Sequence, residues 1–310
     1  MHYVGYAEMA AAVSNGGGLG IITALTQPTP EDLRAEIRKC RALLSDPALP
    51  FGVNVTLLPA LVPTDPGPIL QVIIEEKVPV VETAGRSPEA LIPVLHAAGI
   101  VIVHKCVAVR HAITAERLGC DAISMDGFEC GGHPGEEDIG NFVLQAIAAR
   151  KLTVPYVCSG GVADGKQLAA ALALGADGVN VGTAFMATTE APVHDKIKAA
   201  LVAADERDTT HVMRSVKNTE RVFKNETSVK VTEIERESPG DFSKFGQYMK
   251  GANYKASFQD TGDEQSSVWS CGLSIGLIDA VKPCATFMTE MVAEAEQIIE
   301  GRLPAMLARL

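Results

Sequence analysis

Two side chains stand where chemistry would use them. Lys105 directly follows the apolar run Ile102-Val103-His104, so a cation ends a buried segment. A fixed positive charge there can steady an electron-rich ring or a developing anion. A salt bridge to Glu82 or Asp126 is its purely structural use. His133 lies in Gly127-Phe128-Glu129-Cys130-Gly131-Gly132-His133-Pro134-Gly135. Four glycines and a proline make a tight turn that brings backbone and an imidazole onto a ligand. Asn54 and Asp126 close other apolar runs. Two more runs end in small residues, Ser159-Gly160-Gly161 and Gly182-Thr183, with a helical pattern between them. Successive strand-to-helix turns of this kind grip a phosphate through main-chain N–H groups and helix N-termini.

The elements that must position these residues are seven apolar strand candidates: 19–24, 51–56, 78–83, 100–106, 122–126, 154–159 and 179–183. Helical patterns occupy 30–44, 69–76, 88–98, 107–118, 138–150 and 165–174. Strands alternating with helices mean βαβ units and a parallel sheet, and near-continuous apolar strands mean that both faces are covered. The fold expected is an α/β (β/α)8 TIM barrel. Its first strand is the one missing, because the chain opens on a helical pattern at 6–13 that a run of glycines stops. Either the barrel is open or incomplete, or the true start lies upstream of Met1, which is the reading favoured.

After residue 190 the pattern changes. A helix is expected at 193–204, followed by a polar, charge-rich region with weak helical patterns at 222–236 and 242–248. The domains expected are a barrel from 1–204 and 281–310, and a small, mainly helical cap from 205–280. A helix at 285–300 packs back on the barrel.

The net charge of −11, with Lys and Arg scattered, argues against nucleic acid or an anionic membrane as partner. The seven cysteines form no C-x-x-C pair and read as reduced core thiols. With no leader-like start and no long apolar span, the location expected is the cytoplasm. No metal is expected, since neither H-x-x-x-H nor H-E-x-x-H occurs. The glycine run at 16–20 precedes a strand instead of following one, which removes a Rossmann reading. A non-flavin isomerase or aldolase would need Lys105 as a Schiff-base amine and lacks a placed acid/base pair.

At these residues the chain resembles the nitronate monooxygenase family, FMN-dependent barrel enzymes. The shared segments are FGVN (51–54), VIVHKC (101–106), GFECGGHPG (127–135), CSGGVADG (158–165) and ADGVNVGTAFMATTE (176–190). The MRS-x-x-NT-x-R stretch (213–221) and QDTGDEQSSVWSCG (259–272) match as well. The resemblance implies that Ser159, Gly160, Gly161, Gly182 and Thr183 hold the FMN phosphate. It implies that Asn54, Lys105 and Asp126 line the isoalloxazine and ribityl portions, and that Gly131 approaches the flavin through its backbone. His133 would be the catalytic base or substrate-orienting group, and Trp269 with 205–265 would help form the cap. The activity implied is oxidation of alkyl nitronates with O2 to a carbonyl product and nitrite. The alternatives are NAD(P)H:quinone reduction with NADH or NADPH as co-substrate, an enoyl-ACP reductase-like enzyme, or a truncated non-catalytic protein. The partners expected are a small-molecule nitronate or quinone and O2, with a homodimer left open. The family's first strand ends in a loop inside which Met1 aligns, and its loss weakens the expected FMN affinity.

Overall fold

The apolar runs do become parallel strands, three to seven residues long, as burial on both faces requires. The computed structural model describes residues 1–57 and 65–309. The strands are β1 (Gly20–Thr23), β2 (Phe51–Leu57), β3 (Val80–Gly85), β4 (Val101–Cys106), β5 (Ala122–Asp126), β6 (Tyr156–Ser159) and β7 (Gly178–Asn180). They lie side by side in chain order, and helices fill the connections. This is the βα repeat of the TIM-barrel class, with seven strands as the alternation predicts. Ile22, Val53, Val81, Ile102 and Ile123, one from each of the first five strands, have no solvent exposure.

Several boundaries differ from expectation for local reasons. The helix expected from 138 begins at Asn141, because Asp138 has φ +52°, outside the helical region. The last run stops as a strand at Asn180, and Thr183 already opens a short helix, Thr183–Met186. The helical pattern at 222–236 is two elements. Its start belongs to β9 (Glu220–Phe223), antiparallel to β8 (Thr209–Val212). The helix Glu226–Glu237 then begins at Asn225, whose side chain exchanges capping bonds with Ser228.

The chain forms two compact units: 1–125 with 150–157 and 190–192, and 126–149 with 158–189 and 193–310. In the first, Arg34, Arg38 and Arg41 of the helix Pro30–Leu43 converge on the buried Glu76 carboxylate at 3.0, 2.7 and 3.5 Å. In the second, Val212, Met213, Val222, Val231, Phe245 and Val268 form a core around the hairpin. Trp269 stacks on Phe223 at 4.3 Å beside it. All seven cysteines are buried, and none is in a disulfide. Among the described residues no helix is long and apolar enough to cross a membrane.

Candidate active site

The first unit places its polar strand ends by register. Asn54 pairs with Glu82, Glu82 with Val103, and Lys105 with Ser124. Alternation along a strand then puts Asn54, Glu82, Lys105 and Ser124 on one face. Asn54 is held there: its amide donates to Glu82 Oε2 at 2.7 Å, and the Thr56 hydroxyl donates to its Oδ1 at 2.8 Å. Thr83 and His104 take the opposite face and are bonded to each other, Oγ1 to Nδ1, at 2.8 Å. Burial pushes His104 down to about 4, and the charge of nearby His111 acts the same way. His104 is therefore a neutral core imidazole, while its neighbour Lys105 faces the other way.

The second unit holds both glycine corners. After β6, Gly160 and Gly161 turn with φ +91° and +76°. A Cβ at Gly160 would stand 2.7 Å from the Cys130 backbone nitrogen, and one at Gly161 3.2 Å from Glu129 Cβ. Both dihedrals favour glycine, and at Gly160 the backbone behind it leaves no room for a side chain. The carbonyls of Ser159 and Gly160 accept from Asn141 Nδ2 at 2.9 and 2.7 Å. The amide N–H groups of Gly160 and Gly161 make no hydrogen bond with another described residue. With the carbonyls turned to Asn141, those donors are left for an anion.

The corner after β7 meets the same loop. Thr183 is buried, and its Oγ1 accepts from Gly272 N at 2.8 Å, one residue beyond Gly182. Gly272 in turn lies against Gly131, where a Cβ would come within 2.6 Å of the Cys271 carbonyl carbon. Gly160 therefore abuts Cys130, and Thr183 reaches Gly131 through Gly272. The backbone of Cys130-Gly131 links the two corners.

The helix Gly165–Ala173 departs from expectation. Its first amides are already engaged: Gln167 Oε1 accepts from Ala163 and Asp164, Asp164 Oδ1 from Lys166, and Glu294 Oε2 from Gly165. The open donors belong to the corner before the helix, and the helix N-terminus is capped by the protein's own carboxylates. Asp126 closes β5, 7% exposed. Burial pushes the Cys158 thiol up to about 12, with Glu129 and Asp126 adding to the shift.

His133 projects from a pinned backbone. Gly132, just before it, exchanges both main-chain hydrogen bonds with Arg221, at 3.0 and 2.6 Å. Its ring is half-buried. A half-exposed imidazole on a fixed loop can hold or move a proton at a ligand. Three contributors carried no signal of their own in the sequence. Asn141 orients the first corner. Glu129 accepts from Asn141 N with both oxygens at 3.0 Å and so caps its helix. Gly272, inside the matched stretch 259–272, joins the second corner to the loop.

Comparison with known proteins identifies the family. The family model described as nitronate monooxygenase matches residues 1–294. A (3aS,4S,5R,7aS)-5-hydroxy-7a-methyl-1-oxo-octahydro-1H-indene-4-carboxyl-CoA dehydrogenase from Rhodococcus jostii is 35% identical over 210 residues, 68% of this chain and 57% of that protein. The chain thus spans little more than half of that relative's length. A nitronate monooxygenase from Paraburkholderia phytofirmans is 32% identical over 245 residues, 65% of this chain and 66% of the relative. Among solved structures, FabK from Thermotoga maritima superposes with a TM-score of 0.89 at 33% identity, covering 98% of this chain and 93% of its own. Because that family model spans residues 1–294 of 310, the chain belongs to the nitronate monooxygenase family.

Proposed function

We propose that the protein is an FMN-dependent oxidoreductase that oxidises alkyl nitronates with O2 to a carbonyl product and nitrite. The observation that carries this reading is the cradle around Cys130-Gly131. The amides of Gly160 and Gly161, which have no partner among the described residues, and the Thr183 hydroxyl beyond Gly182 suit a phosphate dianion, with Ser159 at the same turn. The glycines fit the group because any Cβ there would fill the space or strain the backbone.

FMN, when bound, supplies the redox chemistry, accepting the electron that the nitronate gives up. The chain's own residues do the rest. His133 orients the nitro oxygens of the substrate anion through its ring and holds a proton at them as charge shifts. Lys105 supplies a fixed cation that favours an anionic reduced ring, and Asn54, tied to Glu82, offers a preset amide. Asp126 and the Gly131 backbone are assigned to the ring and ribityl portions. Residues 205–280 serve as the cap.

A second reading is reduction by NADH or NADPH on the same site, with a quinone or an activated carbonyl compound as acceptor. It draws on the likeness to the Rhodococcus jostii protein, whose name is that of a dehydrogenase acting on a carboxyl-CoA compound. The test is an absorbance spectrum of the purified protein followed by anaerobic titration. Bleaching of a yellow chromophore by a nitronate, with NADH inert, supports the first reading. Bleaching by NADH with the nitronate inert supports the second. A protein that stays colourless after incubation with FMN sinks both.

A further inference from the structure

The segment 213–221 reaches the histidine loop at four places, three through side chains and one through the Arg221 backbone. Arg221 is 4% exposed; its Nε and Nη2 donate to Phe128 O at 3.2 and 2.9 Å, and its guanidinium lies 4.5 Å over the Phe128 ring. Thr209 Oγ1 accepts from the remaining arm, Nη1, at 3.0 Å. The Arg221 backbone exchanges two bonds with Gly132. Thr219 donates to Glu136 from both its backbone nitrogen and its hydroxyl, at 2.8 and 2.6 Å. Arg214 is paired with Asp138 at 3.1 Å. His211, opposite Arg221 in the hairpin, meets the same Phe128 ring edge-on at 5.2 Å.

The attachment points, Phe128, Gly132, Glu136 and Asp138, bracket His133 on both sides. The stretch between them contains Gly131, Gly132 and Gly135, which lose more backbone freedom on ordering than any other residue type. Such a loop does not hold an imidazole in one place by itself, so rigidity must come from outside. We propose that the β8–β9 hairpin with the segment 213–221 is a template that sets the geometry of the loop 127–139, and that Arg221 is the positioning residue acting through it on His133. Planar fork geometry is essential to that role: one face stacks on Phe128 while two N–H groups share its carbonyl, which an ammonium cannot reproduce. The catalytic consequence rests on the function proposed for His133; the template itself does not.

The test compares wild type, Arg221→Lys and Thr219→Val as flavin-loaded, full-length protein. Hydrogen exchange of 127–139 and steady-state kinetics with an alkyl nitronate are read together. Arg221→Lys is expected to keep its flavin content, to exchange loop amides about 10-fold faster or more, and to leave β1–β5 amides unchanged. Its kcat falls by about 10-fold while KM moves by less than about 3-fold, as for a misplaced catalytic group. Thr219→Val, which keeps the backbone bond, shifts both readouts the same way by less and serves if Arg221→Lys fails to fold. Unchanged loop exchange in both variants overturns the template, and faster exchange with unchanged kcat overturns the positioning role. Wild-type protein that is inert toward nitronates overturns the proposed function instead, and the exchange data then still decide the template.

Discussion

His133 and Gly161 separate the two jobs of the site. His133→Ala is expected to retain FMN and to lower nitronate turnover by about 10²-fold or more, since the role proposed for the ring is at the substrate and not at a cofactor anchor. Turnover at the wild-type rate in a flavin-saturated assay would reject that role. Gly161→Asp is expected to give a folded but colourless protein. The new carboxylate would project beside Glu129 and meet a phosphate with like charge. Stoichiometric yellow cofactor in that variant would refute the cradle. Both residues were legible in the sequence because type and neighbours sufficed: a histidine among glycines, a glycine pair closing an apolar run. Glu129 and Asn141 were not. Their partners lie 12 and 18 residues away in sequence, and nothing in either residue's surroundings announces a bond across that separation.

Asn141 belongs to the next scale, where an element's first residue aims another element's corner. It opens the helix Asn141–Ala148 and, 9% exposed, holds two carbonyls of the β6 corner while Gln145 Nε2 donates to its Oδ1. Asn141→Ala removes the Nδ2 bonds to both carbonyls, of which Ser159 O keeps the bond from Gly127 N, at a cost of about 1–3 kcal/mol in unfolding free energy, and is expected to weaken flavin binding at the same time. Denaturant melts and a flavin titration check both; loss of stability with unaltered flavin affinity would uncouple the helix from the corner. The β/α alternation was readable because seven apolar runs and their helical spacers each carry their own period. The hairpin was not. Its strand Glu220–Phe223 has four residues and runs almost directly into Asn225 and the following helix, so Val222 fits either period until Val212 pairs alongside.

For the whole molecule, acidity is the lever with a computable sign. His104 in the first unit and His211 in the second are each held down to about 4 from an ordinary 6.5. Burial is the main cause for both, joined at His211 by the charges of Arg221 and Arg214. Between these values the unfolded chain binds protons that the folded chain refuses. The stability these two groups contribute is therefore complete above about pH 6.5 and drains away as pH falls toward 4. Melting temperatures of wild type and His104→Gln across that window should show a flatter decline in the variant. Equal slopes would mean that His104 already titrates normally. The boundary between the compact units falls inside β5 and β6, where no change of composition marks it; it follows from which residues pack together, and one-dimensional pattern carries little of that.

The concealed sulfurs give this protein a built-in clock. Cys40, Cys106 and Cys120 lie in one unit, and Cys130, Cys158, Cys271 and Cys284 in the other, all shut away from solvent. An alkylating reagent can reach them only when their surroundings open. Mass spectrometry of which peptides acquire the label first would time the breathing of each half separately, without introducing a single foreign probe.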